Sequence, residues 1–148
     1  MRGDFYTAFV REASALVRSR GRKLSVHLHA EAFRPDPVFG QQNGIPANVD
    51  FQWRRWITEG LVDAVYLRTS WFEAAEDPLG AASTQRSRLS RALADPVAAE
   101  MLYLAAQHRL PVTLNRYIGR AAGLEEYLDD LELVARDGRF AGFDVYEF

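Results

Sequence analysis

The sequence predicts an α/β domain with a parallel sheet, and three observations carry that prediction. Short runs with the two-residue period of a strand alternate with longer runs of three- and four-residue helical period. A helical run separates each pair of strand runs, which is the crossover that neighbouring parallel strands require. In every strand run, one parity is aliphatic and the other polar. A length of 148 residues with 48% hydrophobic residues is enough for one domain with its own core, so residues 1–148 read as a single α/β domain.

The first element is a helix predicted from Asp4 to about Arg20. Phe5, Phe9, Leu16 and Val17 form its apolar face, Asp4 caps its start and Gly21 ends it. After the basic turn Arg22-Lys23, LSVHLH gives the first strand, with Leu24, Val26 and Leu28 alternating with Ser25, His27 and His29. Pro35, Pro37, Gly40, Gly44 and Pro46 exclude a helix or a central strand between Glu31 and Asp50. A loop of that length inside a compact domain is expected to shape a binding site.

Asp50 is expected to cap a short helix in FQWRRWITEG that Gly60 stops, with Trp53 and Trp56 in the core. LVDAVYLR is the second strand. The stretch TSWFEAAEDPLGAASTQRSRLSRALAD reads as a loop holding about one helical turn, after which Asp95-Pro96 opens a helix with Val97, Met101, Leu104 and Ala105 on one face. HRLPVTLN is the third strand. Leu124, Leu128, Leu131 and Ala135 mark the last helix, which stops at Gly138, and FAGFDVYEF is the fourth strand.

The strand faces separate two parallel architectures. Leu28, Val65, Leu67, Val112, Leu114, Phe143 and Val145 share the aliphatic parity; His27, His29, Tyr66, Arg68, Thr113, Asn115, Asp144 and Tyr146 share the other. An open doubly wound sheet is covered by helices on both faces and is apolar on both. A single polar face fits instead the inside of a (β/α)8 barrel, whose sites lie at the carboxyl ends of the strands. The open sheet is the alternative.

Composition narrows the function classes. A formal net charge of −2 gives no attraction to nucleic acid or an anionic membrane. The absence of cysteine rules out disulfides, thiolate metal sites and a cysteine nucleophile. The first residues are interrupted by Asp4, Arg11 and Glu12, so they read as neither signal peptide nor membrane span, and the chain is expected to be cytoplasmic as it stands or else a piece of a longer, exported protein. Nearly all the positive charge is arginine, Lys23 being the one lysine, which reflects genome composition more than guanidinium recognition.

The segments SRGRKLSVHLHAE and VDFQWRRWITEGLVDAVYLR resemble the bacterial glycosyl-hydrolase-like (β/α)8 barrels known as family-10-like hydrolases. In those proteins a helix, a basic turn and a strand are followed by a loop, a tryptophan-containing helix and a glycine-led second strand. The resemblance spans roughly Asp4 to Tyr66, and the remainder of the chain shares the rhythm alone. A complete barrel runs to about 250 residues, so the resemblance implies the later half of a barrel, either part of a longer chain or completed by another copy.

Glycoside hydrolysis uses two carboxyl groups, one protonating the leaving oxygen and the other acting as nucleophile or activating water. In the large barrel clan of retaining glycosidases the acid/base follows the fourth strand and the nucleophile ends the seventh. Glu31 follows the first strand here and Glu147 ends the last, so both match if these strands are the fourth to seventh. If they are the fifth to eighth, Asn115 stands at the nucleophile's place. Parity turns Glu147 towards the helices unless the strand ends at Tyr146, which makes Asp144, on the polar parity, the competing carboxylate.

His29, Arg68, Trp71, Asn115 and Tyr146 are the candidate substrate-binding residues. Guanidinium and amide groups suit hydroxyl or carboxylate ligands, and aromatic faces suit sugar rings. Phe33 and Tyr117 are further stacking candidates. A salt bridge to Asp144 across the strands is the structural alternative for Arg68 and Asn115. The pair His27-x-His29 has the spacing that metal-dependent barrel hydrolases place on a strand, giving a second reading, although His108 ends a helix and Lys23 lies at the wrong end of a strand to complete a ligand set. No cofactor or metal is expected. The expected partners are a carbohydrate or other small molecule and either a second copy of the chain or a missing amino-terminal half-barrel, since open strand edges associate. A third reading is a noncatalytic binding or assembly domain.

Overall fold

The computed structural model describes residues 2–29, 51–68, 93, 96–117 and 124–146. Eight elements alternate along them: α1 (Arg2–Ser19), β1 (Ser25–His29), α2 (Trp53–Thr58), β2 (Ala64–Arg68), α3 (Pro96–Gln107), β3 (Val112–Tyr117), α4 (Leu124–Arg136) and β4 (Gly142–Tyr146). All three strand pairings are parallel and the sheet order is β1-β2-β3-β4, so each crossover steps one strand in the same direction. The predicted α/β class with a parallel sheet is the observed one.

One apolar cluster joins the sheet to all four helices. Leu28, Val65, Leu67, Val112 and Leu114 of the aliphatic parity pack with Val10 of α1, Trp53, Trp56 and Ile57 of α2, Met101, Leu102 and Ala105 of α3, and Val134 of α4. Because a single strand parity meets every helix, the helices form one layer on one face. Trp53 is 1% exposed, and Leu67 and Leu114 are sealed completely. Full burial of such side chains contributes about 1.5–3 kcal/mol each.

The first three helices end in the same way. Gly21, Gly60 and Arg109 have φ of 67°, 63° and 53°. Their N–H groups bond to Arg18, Ile57 and Ala106 carbonyls, and the following N–H of Arg22, Leu61 and Leu110 reaches back five residues to Val17, Trp56 and Ala105. This is the Schellman closure, which satisfies the last carbonyls and turns the chain back towards the sheet. Gly138 does not take this conformation; α4 ends at Arg136, and Asp137 N–H bonds to Leu133 and Val134 instead.

Both end helices differ from expectation in the face they bury. On α1, Phe5, Phe9 and Leu16 of the predicted apolar stripe point outward, 76%, 64% and 55% exposed, and Val17 is half-buried, while Thr7, Val10 and Ser14 are buried. Trp56 explains the choice. Its indole Nε1 donates to Thr7 Oγ1 at 2.9 Å, and the Thr7 hydroxyl donates to Gln52 Oε1 at 2.9 Å. On α4, Leu124 and Leu128 are likewise exposed and Ala135 with them, Leu131 is half-buried, Asp130 and Val134 are buried and Tyr127 meets Phe143 edge to face at 5.8 Å. The α3 face holds Met101 and Ala105 buried and Val97 and Leu104 half-buried, as predicted.

Asp50 lies outside the described residues, and the position before α2 belongs to Gln52, which makes no side-chain cap. Its amide is used between helices, bonding to Thr7 and to Asp4. Asp63, just before β2, accepts from Leu24 N–H and from Arg18, both at 2.8 Å, and so ties α1, β1 and β2 together at the amino ends of the strands. Burial opposes its ionisation, but Arg18 and the Leu24 N–H overcome that and hold its pKa below the ordinary carboxylate value.

Candidate site on the polar face of the sheet

The sheet face that no helix covers among the described residues is built by strand parity. Parallel pairing in register brings the polar-parity residues into rows across all four strands. His27 pairs with Tyr66, Tyr66 with Thr113 and Thr113 with Gly142 in one row. In the next, nearer the carboxyl ends, His29 pairs with Arg68, Arg68 with Asn115 and Asn115 with Asp144. Tyr117 pairs with Tyr146 beyond it. Candidates separated by up to 115 positions in the chain therefore stand at one level of the sheet.

The centre of the second row is an amide clamped to a carboxylate. Asn115 is 2% exposed, and its Nδ2 donates to Asp144 Oδ2 at 2.5 Å. Its Oδ1 is buried without a hydrogen-bond partner. A buried carbonyl oxygen left without a donor costs free energy that a ligand hydroxyl or N–H would recover. The bond to Asp144 also fixes the amide orientation, directing the carbonyl to accept and the amino group to donate.

In the first row, the His27 ring stacks on Tyr66 with centroids 4.8 Å apart and planes 12° from parallel. Burial lowers the His27 pKa from its ordinary 6.5, and the Arg68 charge adds to this while Asp144 opposes it. Near neutral pH the imidazole is therefore neutral, with one nitrogen to donate and one to accept. Tyr66 was not among the sequence candidates. Its shared parity with His27 was the available signal, but which strand lies beside which is needed before the stacking can be read.

Of the other candidates, Glu31, Trp71, Phe33 and Glu147 lie outside the described residues, as does the long loop from 31 to 50. His29 and Tyr146 hold register positions in β1 and β4. Arg68 and Asn115 share one row with Asp144, and it is Asn115 that bonds to the carboxylate. Among the described residues no three His, Cys, Asp or Glu side chains gather as a metal site requires. A hollow of about 480 Å³ beside the end of α4, lined by Asp129, Glu132, Leu133, Arg136 and Asp137, belongs to the helical layer and not to this face. Among the described residues no helix is long and apolar enough to cross a membrane.

Scanned against protein-family models, curated proteins and solved structures, the chain matches none.

Proposed function

We propose that the chain is half of a (β/α)8 barrel whose polar sheet face binds and hydrolyses a carbohydrate. The observation that carries this reading is the level row at His29, Arg68, Asn115 and Asp144, with the buried Asn115 Oδ1 lacking a donor and its Nδ2 fixing the Asp144 carboxylate. A ligand rich in hydroxyls supplies donors to Asn115 Oδ1 and accepts from Arg68 and His27, and the aromatic candidates of the sequence suit the apolar face of a sugar ring. The strand order, which never reverses, and the single helical layer support the half-barrel reading over a doubly wound sheet.

In the proposed chemistry Glu31 protonates the glycosidic oxygen as that oxygen leaves the anomeric carbon. The second carboxylate either attacks that carbon or takes a proton from the attacking water. Asp144 has the better claim to the second role than Glu147, because it stands on the polar parity and is held by Asn115. A separation of about 5–5.5 Å from Glu31 would specify retention and about 6.5–9.5 Å inversion.

Hydrolysis of a panel of aryl glycosides tests the proposal. The wild-type chain is expected to turn over at least one of them. Glu31→Gln and Asp144→Asn are each expected to cost at least about 10²-fold in kcat, the lower end of what general acid–base catalysis contributes. Tyr103→Ala, on the helical layer, is expected to leave the rate unchanged. Turnover that disappears with a chelator and survives Asp144→Asn would favour the metal-dependent reading instead. No turnover and no sugar binding by the wild-type chain would leave the noncatalytic assembly domain, which the exposed stripes on α1 and α4 favour.

A further inference from the structure

The sheet has two dissimilar open edges, and the helical layer has a spare apolar stripe at each of them. Among the described residues β1 and β4 each pair on one side alone. Beside β1, helix α1 exposes Phe5, Phe9 and Leu16; beside β4, helix α4 exposes Leu124 and Leu128. Each set recurs on one helical face, at positions i, i+4 and i+11 on α1 and i and i+4 on α4. On β4 the aliphatic Phe143 and Val145 are half-buried, whereas the equivalent Leu67 and Leu114 of the inner strands are sealed. A helix lying beyond β4 would complete their cover.

The two ends are complementary in charge. Residues 2–23, which hold α1 and its turn, carry six basic and two acidic side chains; α4 carries five acidic side chains and Arg136. These are net charges of +4 and −4. Arg20 follows α1 in its closing turn, Glu12 is the carboxylate beside the α1 stripe, and Glu125 and Glu132 border the α4 stripe. Both helices precede a strand of the same parallel sheet, so they run in the same direction.

We infer that a second copy of this chain covers these edges. β4 of one copy pairs in parallel with β1 of the other, and α1 of the second copy lies over that junction against α4 of the first. The same junction repeats on the far side through a twofold axis, so that eight strands close with none left open. The inference rests on the half-barrel reading proposed above. It adds that the occupant is an identical chain and that the two polar faces then enclose one shared interior.

Sedimentation at micromolar concentration tests it. The wild-type chain is expected to run at twice its 16.8 kDa mass. Phe9→Glu sets a carboxylate against acidic α4, and Leu128→Arg sets a cation against basic α1; each variant is expected to run as a monomer with an unchanged far-ultraviolet spectrum. Mixed together they are expected to recover the dimer mass, because one junction is then unaltered and the other pairs the introduced opposite charges. A wild-type monomer, a dimer indifferent to both substitutions, or variants that stay apart when mixed would each overturn the inference. A wild-type monomer that still hydrolyses or binds a sugar would sink the second copy and leave the proposed site standing.

Discussion

At the residue scale, buried polar groups decide where side chains point. Thr7 is 1% exposed on a helix with two phenylalanines within four positions, because its hydroxyl answers the Trp56 indole and then donates to Gln52. Thr7→Val keeps the shape and removes both bonds, leaving a buried indole N–H unpaired. We expect a loss of about 1–3 kcal/mol in urea unfolding, and recovery of most of it in Thr7→Ser. At His27, proton nuclear magnetic resonance is expected to find a titration midpoint below 6.5, raised by Arg68→Ala and lowered further by Asp144→Asn. The sign for stability follows. Between the folded pKa and 6.5 the unfolded chain holds more of this proton, so stability rises with pH across that window and falls as pH drops through it. None of this was legible in the sequence, where Thr7 is absent from the predicted apolar face of the first helix and His27 reads as half of a His-x-His pair.

At the scale of elements, the sequence was a better guide to where each begins than to which side it buries. All four strands and the four helices between and before them overlap the predicted segments, since periodicity and glycine stops are local signals, but α1 begins at Arg2, which puts Asp4 inside the first turn and not at the cap, and β3 runs on to Tyr117. The closures after α1, α2 and α3 share one geometry, but glycine marks only the first two. Arg109 takes φ 53° without the freedom that glycine has at Gly21 and Gly60. Arg109→Gly is therefore expected to stabilise the chain by about 0.5–1 kcal/mol, and Gly60→Ala to destabilise it by a similar amount. Thermal unfolding measures both. No atom stands within 4 Å of a Cβ added at Gly60, so the effect there is one of backbone conformation and not of packing. The stripes on α1 and α4 were legible as apolar faces; their direction was not, because periodicity reports that a face is apolar without saying what it meets.

At the scale of the whole molecule, the order of the strands gives the faces their meaning. Among the described residues, a one-directional order with one helical layer leaves a continuous polar face, two open edges and an apolar stripe on each end helix, with net charges of opposite sign on residues 2–23 and on α4. The proposed association through those ends has an electrostatic part, so raising ionic strength from low to high is expected to shift sedimentation towards the 16.8 kDa species. The same closure would decide whether the row at Asp144 faces open solvent or an enclosed interior.

The sequence by itself determined the alternation of strands and helices, the parallel sheet and the polar parity that contains Arg68, Asn115 and Asp144, because these depend on near neighbours along the chain. Only the tertiary structure decided that these residues share a row, that Asn115 holds Asp144 while keeping a buried acceptor free, that His27 stacks on Tyr66, and that α1 and α4 turn their apolar stripes outward. Each of those depends on register between strands far apart in the chain or on competition for the inside of the core. The indole of Trp56 settled that competition for α1 by taking Thr7 inward and leaving Phe5 and Phe9 outside.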